Sequence, residues 1–223
     1  MLLRCAILSL SLFALWLMAC GQGEPRLTTE GRAWVPLHPR SEEPALAALV
    51  FSEGMTLPGE SESEDHPLAI AVWADGTLIS SAAGDGAYGQ PYRTANIGAE
   101  ASETIHSRIR AVMLEREGKL GSFRIPDASS EELLVRDGDR VWRMQSCIDI
   151  FEANTSVVAF PGGIAARDQA PPRDANDPEE RELREFREAW SRAKKLLLSA
   201  VPVAGDPLEA QDLKFRAIGS TPR

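Results

Sequence analysis

Apolar and polar positions alternate through Leu68-Ala-Ile-Ala-Val-Trp73, which puts Leu68, Ile70 and Val72 on one face of a strand. Asp75-Gly76 and Thr77-Leu-Ile-Ser80 follow, so the pattern predicts a hairpin that turns at the Asp-Gly pair. After a glycine-rich loop, Tyr92 to Ile97 reads as a third strand. The period then changes: Ala101, Ile105, Ile109 and Val112 recur at helical spacing before Gly118. A second hairpin is predicted around Asp137-Gly138, with Arg136 opposite Asp139, Leu134 opposite Val141, Glu132 opposite Arg143 and Leu133 opposite Trp142. Residues 146–151 and 156–160 read as two further strands, and Pro161 to Asn176 as a long exposed loop.

The most strongly marked helix comes last. Asp177 is placed to cap it, Pro178 suits its first turn and Glu180 stands three residues after the cap. Leu183, Phe186, Trp190, Ala193, Leu197 and Val201 form its apolar stripe, and Pro202 ends it. Glu180 with Arg184 and Glu188 with Arg192 are spaced as favourable pairs along its surface. Together these elements predict an α+β fold, a single antiparallel sheet of about five to seven strands packed by two amphipathic helices.

The chain begins differently. Arg4 is followed by an apolar run from Cys5 to Leu17, and then by Leu17-Met18-Ala19-Cys20 at the border with polar Gly21-Gln-Gly-Glu24. This is the layout of an export signal, and the run is too short and too interrupted by Ser9 and Ser11 for a membrane span. Leu17-Met18-Ala19-Cys20 resembles the lipobox of bacterial lipoprotein precursors. The resemblance implies cleavage between Ala19 and Cys20 and acylation of Cys20, with the lipid holding the protein on a membrane of the cell envelope. Gly21, where retention in an inner membrane often shows Asp, points to the outer membrane if the source is Gram-negative. Two or three acyl chains make a stable anchor, at about 0.8 kcal/mol per buried methylene. The middle region, Ala71 to Ile79 with Pro91-Tyr-Arg-Thr94 and the following helix, is similar to a pattern in predicted bacterial lipoproteins, from which no activity carries over.

On this reading residues 1–19 are a signal peptide, 20–45 a lipidated tether interrupted by prolines, 46–205 the globular domain and 206–223 a C-terminal tail. The whole chain carries a net charge of −9, and without residues 1–19, which contain Arg4 alone, it carries about −10. That acidity argues against nucleic-acid binding and against attraction to anionic headgroups, which leaves anchoring to the lipid.

No catalytic constellation emerges. Gly84-Asp-Gly-Ala-Tyr-Gly89 spells a dinucleotide motif, yet no helix starts where the pyrophosphate would need one. His38, His66 and His106 are not spaced for a metal, and Cys147, the one cysteine left after Cys20, reads as a buried strand residue. Glu131 and Glu132 are accounted for by the charge pairs of their hairpin. No metal or cofactor is expected. Tyr88, Tyr92 and Arg93, in or beside the glycine-rich loop, are the candidate contact surface. The expected role is a non-catalytic binding or assembly component of the envelope with a protein partner; the alternatives are an envelope hydrolase with dispersed groups and a small-ligand carrier.

Overall fold

In a computed structural model, residues 33–52, 67–82, 88–125, 128–153, 156–202, 204–209 and 212–218 are described. The lipobox, His66 and most of the glycine-rich motif lie outside them.

Eight strands form the main sheet: β2 (Ala47–Ser52), β3 (Leu68–Val72), β4 (Thr77–Ser81), β5 (Tyr92–Asn96), β6 (Ser122–Phe123), β7 (Ser130–Asp137), β8 (Arg140–Ser146) and β11 (Asp206–Leu208). Their order across the sheet is β11-β5-β4-β3-β2-β7-β8-β6, antiparallel throughout except for the parallel β6–β8 pair at one edge. Two small antiparallel sheets accompany it, β1 (Ala33–Leu37) with β12 (Lys214–Ile218), and β9 (Val157–Phe160) with β10 (Gly163–Ala166). The helices are α1 (Ala99–Glu115), the short α2 (Ile148–Glu152) and α3 (Pro178–Leu198). Among the described residues the fold is thus mostly β, with a mixed eight-stranded sheet, two extra sheets and three helices, and the single antiparallel sheet of five to seven strands with two helices is corrected.

The extra strands escaped the pattern for physical reasons. β2 is a central strand, hydrogen-bonded to β3 and β7 and buried on both faces, so Ala47-Ala-Leu-Val50 shows a continuous apolar run with no alternation. β1 lies in the stretch assigned to the tether and β12 in the stretch assigned to the tail; each is short, and they stabilise each other from opposite ends of the chain. Residues 148–152 form α2 rather than the end of a strand, with Phe151 N–H closing a helical turn on the Cys147 carbonyl.

The two faces of the main sheet carry separate cores. On one, Leu49, Ile70, Val72, Leu133 and Trp142 pack against Ile109 and Met113 of α1 and Phe186, Trp190 and Leu197 of α3. On the other, Ala48, Leu68, Ala71, Trp73, Ile79 and Leu134 pack against Ala33 and Val35 of β1 and half-buried Phe215 of β12. A register shift where Leu49 pairs with Ile70 but Val50 with Leu68 inserts Ala69 as an extra residue. Leu68 therefore leaves the face it was expected to share with Ile70 and Val72.

The second hairpin is also shifted. Its central turn residues are Gly138 and Asp139, so Asp137 pairs with Arg140, Leu134 with Arg143, Leu133 with Met144 and Glu132 with Gln145. Gly138, at φ 62, takes the positive dihedral at the first turn position. Asp137 is thereby freed to pair with Arg110 of α1 at 3.0 Å. α3 begins where predicted, Asp177 accepting a hydrogen bond from the Glu179 N–H at 2.9 Å. Its Arg192 pairs with Glu115 of α1.

Candidate functional site

α1 lies against β7 and α3 against β2. The sheet face over β3, β4 and β5 is left to the C-terminal half of α3 and the segment that follows it. The residues meeting there are small: Ala69, Ser80, Ser81, Ala82, Ala95, Ala204 and Gly205. They leave a cavity of about 810 Å³, closed on the helix side by Ser191, Lys194, Lys195, Leu198 and Ser199 and on the sheet side by Leu78, Arg93 and Thr94. Gly205 is required there, since a Cβ would stand 2.8 Å from the Thr94 carbonyl oxygen.

Beside this cavity lies a charged cluster drawn from four separate parts of the chain. Glu131 of β7 is 5% exposed. Lys194 of α3 donates to its Oε1 and Oε2 at 2.9 and 2.6 Å, and to Asp149 Oδ2 of α2 at 2.7 Å. The Tyr88 hydroxyl donates to Glu131 Oε1 at 2.5 Å, and the Trp190 indole N–H to Asp149 Oδ2 at 3.1 Å. Lys194 and Asp149 line the cavity, with Glu131 behind them.

These contacts decide the protonation states. Burial pulls the Lys194 ammonium down, but hydrogen bonds to Asp149 and Glu131 outweigh it and hold the group above its ordinary value. Burial likewise pushes the Asp149 carboxyl up, and hydrogen bonds from Lys194 and Trp190 reverse the sign. Burial, then the charge of Glu131, drives the Tyr88 phenol far above its usual range. A lysine held as ammonium is neither nucleophile nor base, and a phenol held neutral donates hydrogen bonds. The cluster is built to fix positions and to present charge.

The predicted site residues are distributed otherwise. Tyr92 is buried on the β1 side of the sheet, where its hydroxyl accepts from the Leu68 N–H at 3.3 Å, and Tyr88 is half-buried against Phe51 with its ring centroid 5.2 Å away. Only Arg93 of the trio is exposed, because strand alternation turns it to the opposite face from Tyr92, at the cavity. Cys20 and Ala19 lie outside the described residues.

The remaining candidates are structural. Cys147 is fully buried, its thiol donates to the Phe123 carbonyl at 3.3 Å, and burial pushes its pKa up. His106 contacts the Arg136 carbonyl at 2.6 Å, near the turn end of β7, whereas Cys147 follows the strand residue paired with Glu131. Five strand residues, about 17 Å, separate those levels, so the two do not meet. His38 is buried: its Nδ1 accepts the backbone N–H groups of Arg40 and Ser41, which places the ring proton on Nε2, facing Thr77 Oγ1 at 3.1 Å. Among the described residues no three His, Cys, Asp or Glu side chains are grouped to hold a metal ion, and no helix is long and apolar enough to cross a membrane.

Sequence reasoning missed Lys194 and Asp149. The one signal was positional: Lys194 borders the apolar stripe of α3 rather than standing on its polar back, a place where a charge needs a partner. Comparison with protein families, curated proteins and solved structures finds no match for this chain.

Proposed function

We propose that this chain is a lipid-anchored protein of a bacterial cell envelope with a non-catalytic binding role, and that a small molecule is bound in the cavity between α3 and strands β3 to β5. The cavity carries the reading: at about 810 Å³ it falls within the range of small-molecule sites, and it combines apolar surface at Leu198 and Val201 with converging polar groups. The chemistry beside it supports binding rather than turnover, since the ammonium of Lys194 and the neutral Tyr88 phenol are each held in their unreactive forms. The anchor rests on the lipobox, whose Cys20 would carry the acyl chains.

Purification of the full chain in mild detergent, followed by mass spectrometry of everything that accompanies it, tests the binding role. A small molecule near stoichiometry supports the cavity reading, whereas a constant protein companion and no small molecule would replace it with an assembly role. Cys20→Ser tests the anchor: the precursor should remain unprocessed or the body should leave the membrane fraction, and unchanged retention with cleavage elsewhere contradicts lipidation.

A further inference from the structure

The charges around the cavity run against the rest of the molecule. The chain as a whole is acidic, at −9, yet the charged side chains lining the cavity are Arg93, Lys194 and Lys195 against Asp149 alone. Lys194 is neutralised by Asp149 and by Glu131 behind it. Arg93 and Lys195 have no carboxylate partner among the described residues, and they approach from opposite walls, one on β5 and one on α3.

Lys195 stands in the last turn of α3, where a lysine often serves the helix end. Here the terminal carbonyls already have donors: those of Lys195, Leu197 and Leu198 accept the N–H groups of Ser199, Ala200 and Val201, and that of Leu196 accepts the Ser199 hydroxyl at 2.9 Å. The Lys195 ammonium is therefore not needed at the helix end and is exposed at the cavity. Near the two cations the helix wall offers the Ser191 hydroxyl, while Leu198 and Val201 supply an apolar surface.

From this arrangement we infer that the cavity takes a small amphiphilic anion, a carboxylate or phosphate head held between Arg93 and Lys195 with its hydrocarbon part on Leu198 and Val201. The inference rests on the cavity reading above. Arg93 engages the head in a planar fork and Lys195 as a point charge, two charge-assisted contacts made from exposed side chains at the cavity's rim.

The test is calorimetric titration of the full chain in nanodiscs of zwitterionic phosphatidylcholine, with empty nanodiscs subtracted. The probes are hexanoate, hexyl phosphate and hexanol. Both anions should bind, hexanol roughly tenfold more weakly or worse, as expected for loss of a charge-assisted contact. The tighter of the two anions identifies the head group. Arg93→Gln with Lys195→Gln should bring the anions to the level of hexanol without altering thermal unfolding, and Lys119→Gln, an exposed cation remote from the cavity lining, should change nothing. Hexanol binding as tightly as the anions, or anion binding unchanged in the double variant, overturns the anion assignment and leaves the cavity reading standing. Binding of none of the three overturns both.

Discussion

At the scale of the residue, Lys194 decides the local energetics. It joins two carboxylates, one of them nearly inaccessible to water, so removing it strands the charge of Glu131 inside the protein. Lys194→Met should cost about 3–5 kcal/mol in urea unfolding, the usual penalty for an uncompensated buried charge, and Glu131→Gln with Lys194→Met should recover part of it. Glu132 presents the opposite case. Burial raises its carboxyl above the ordinary 4.5, and nearby Arg143 and Arg124 only partly counter that. The folded chain then holds this proton more tightly than the unfolded chain, so stability is lost as pH rises through the interval above 4.5. Glu132→Gln suffers no such loss, and its stability relative to the parent should grow between about pH 4 and pH 8; a flat or falling difference contradicts the assignment. Neither role was legible in the sequence. Adjacent glutamates on a strand read as paired surface charges, and only the fold brings Lys194, remote in sequence, over one of them while the shifted register puts Gln145 opposite the other.

At the scale of the element, local rules were legible and long-range pairing was not. The start of α3 follows from Asp177 and Pro178 alone, because capping involves residues within one turn, and the structure places the helix there. Its stripe from Leu183 to Leu197 is buried as expected, and Ala189 joins it, while Val201 lies beyond the helix end and is exposed. The first hairpin was found, but its turn has a constraint no pattern shows. Gly76 sits at φ 91 with a Cβ position 2.5 Å from the backbone of Gly98, which leads into α1, and the Gly76 carbonyl accepts the Ile97 N–H at 2.9 Å. Gly76→Ala should therefore cost roughly 2–4 kcal/mol in thermal or urea unfolding, combining dihedral strain with a steric clash; a loss below about 1 kcal/mol would show that the two segments separate freely. β1, β2 and β12 remained invisible because their stabilisation comes from strands far away in sequence or from burial on both faces, and neither leaves a period of two.

At the scale of the whole molecule, three layers form: helices on one side of the main sheet and the β1–β12 ribbon on the other. β1 begins at Ala33, inside the stretch that the sequence reading gives to the tether. Twelve residues separate Cys20 from β1, a reach of at most about 47 Å, so an acylated Cys20 would keep the body near its membrane. The helices leave β3 to β5 to the end of α3, and the cavity results from that incomplete cover. Its existence depends on how far each helix extends across the sheet, which sequence periodicity does not specify; its cationic pair, of which Arg93 alone was singled out, became meaningful only once β5 and α3 faced each other. The most direct test of the cavity's role is native mass spectrometry of the full chain taken from its native cells in mild detergent, beside Leu198→Trp, which fills the cavity from its helix wall. One small molecule should be retained near one-to-one by the parent and be missing from a Leu198→Trp protein that unfolds at a similar temperature. A parent that carries nothing, or a variant that carries the same molecule in the same amount, would contradict that role.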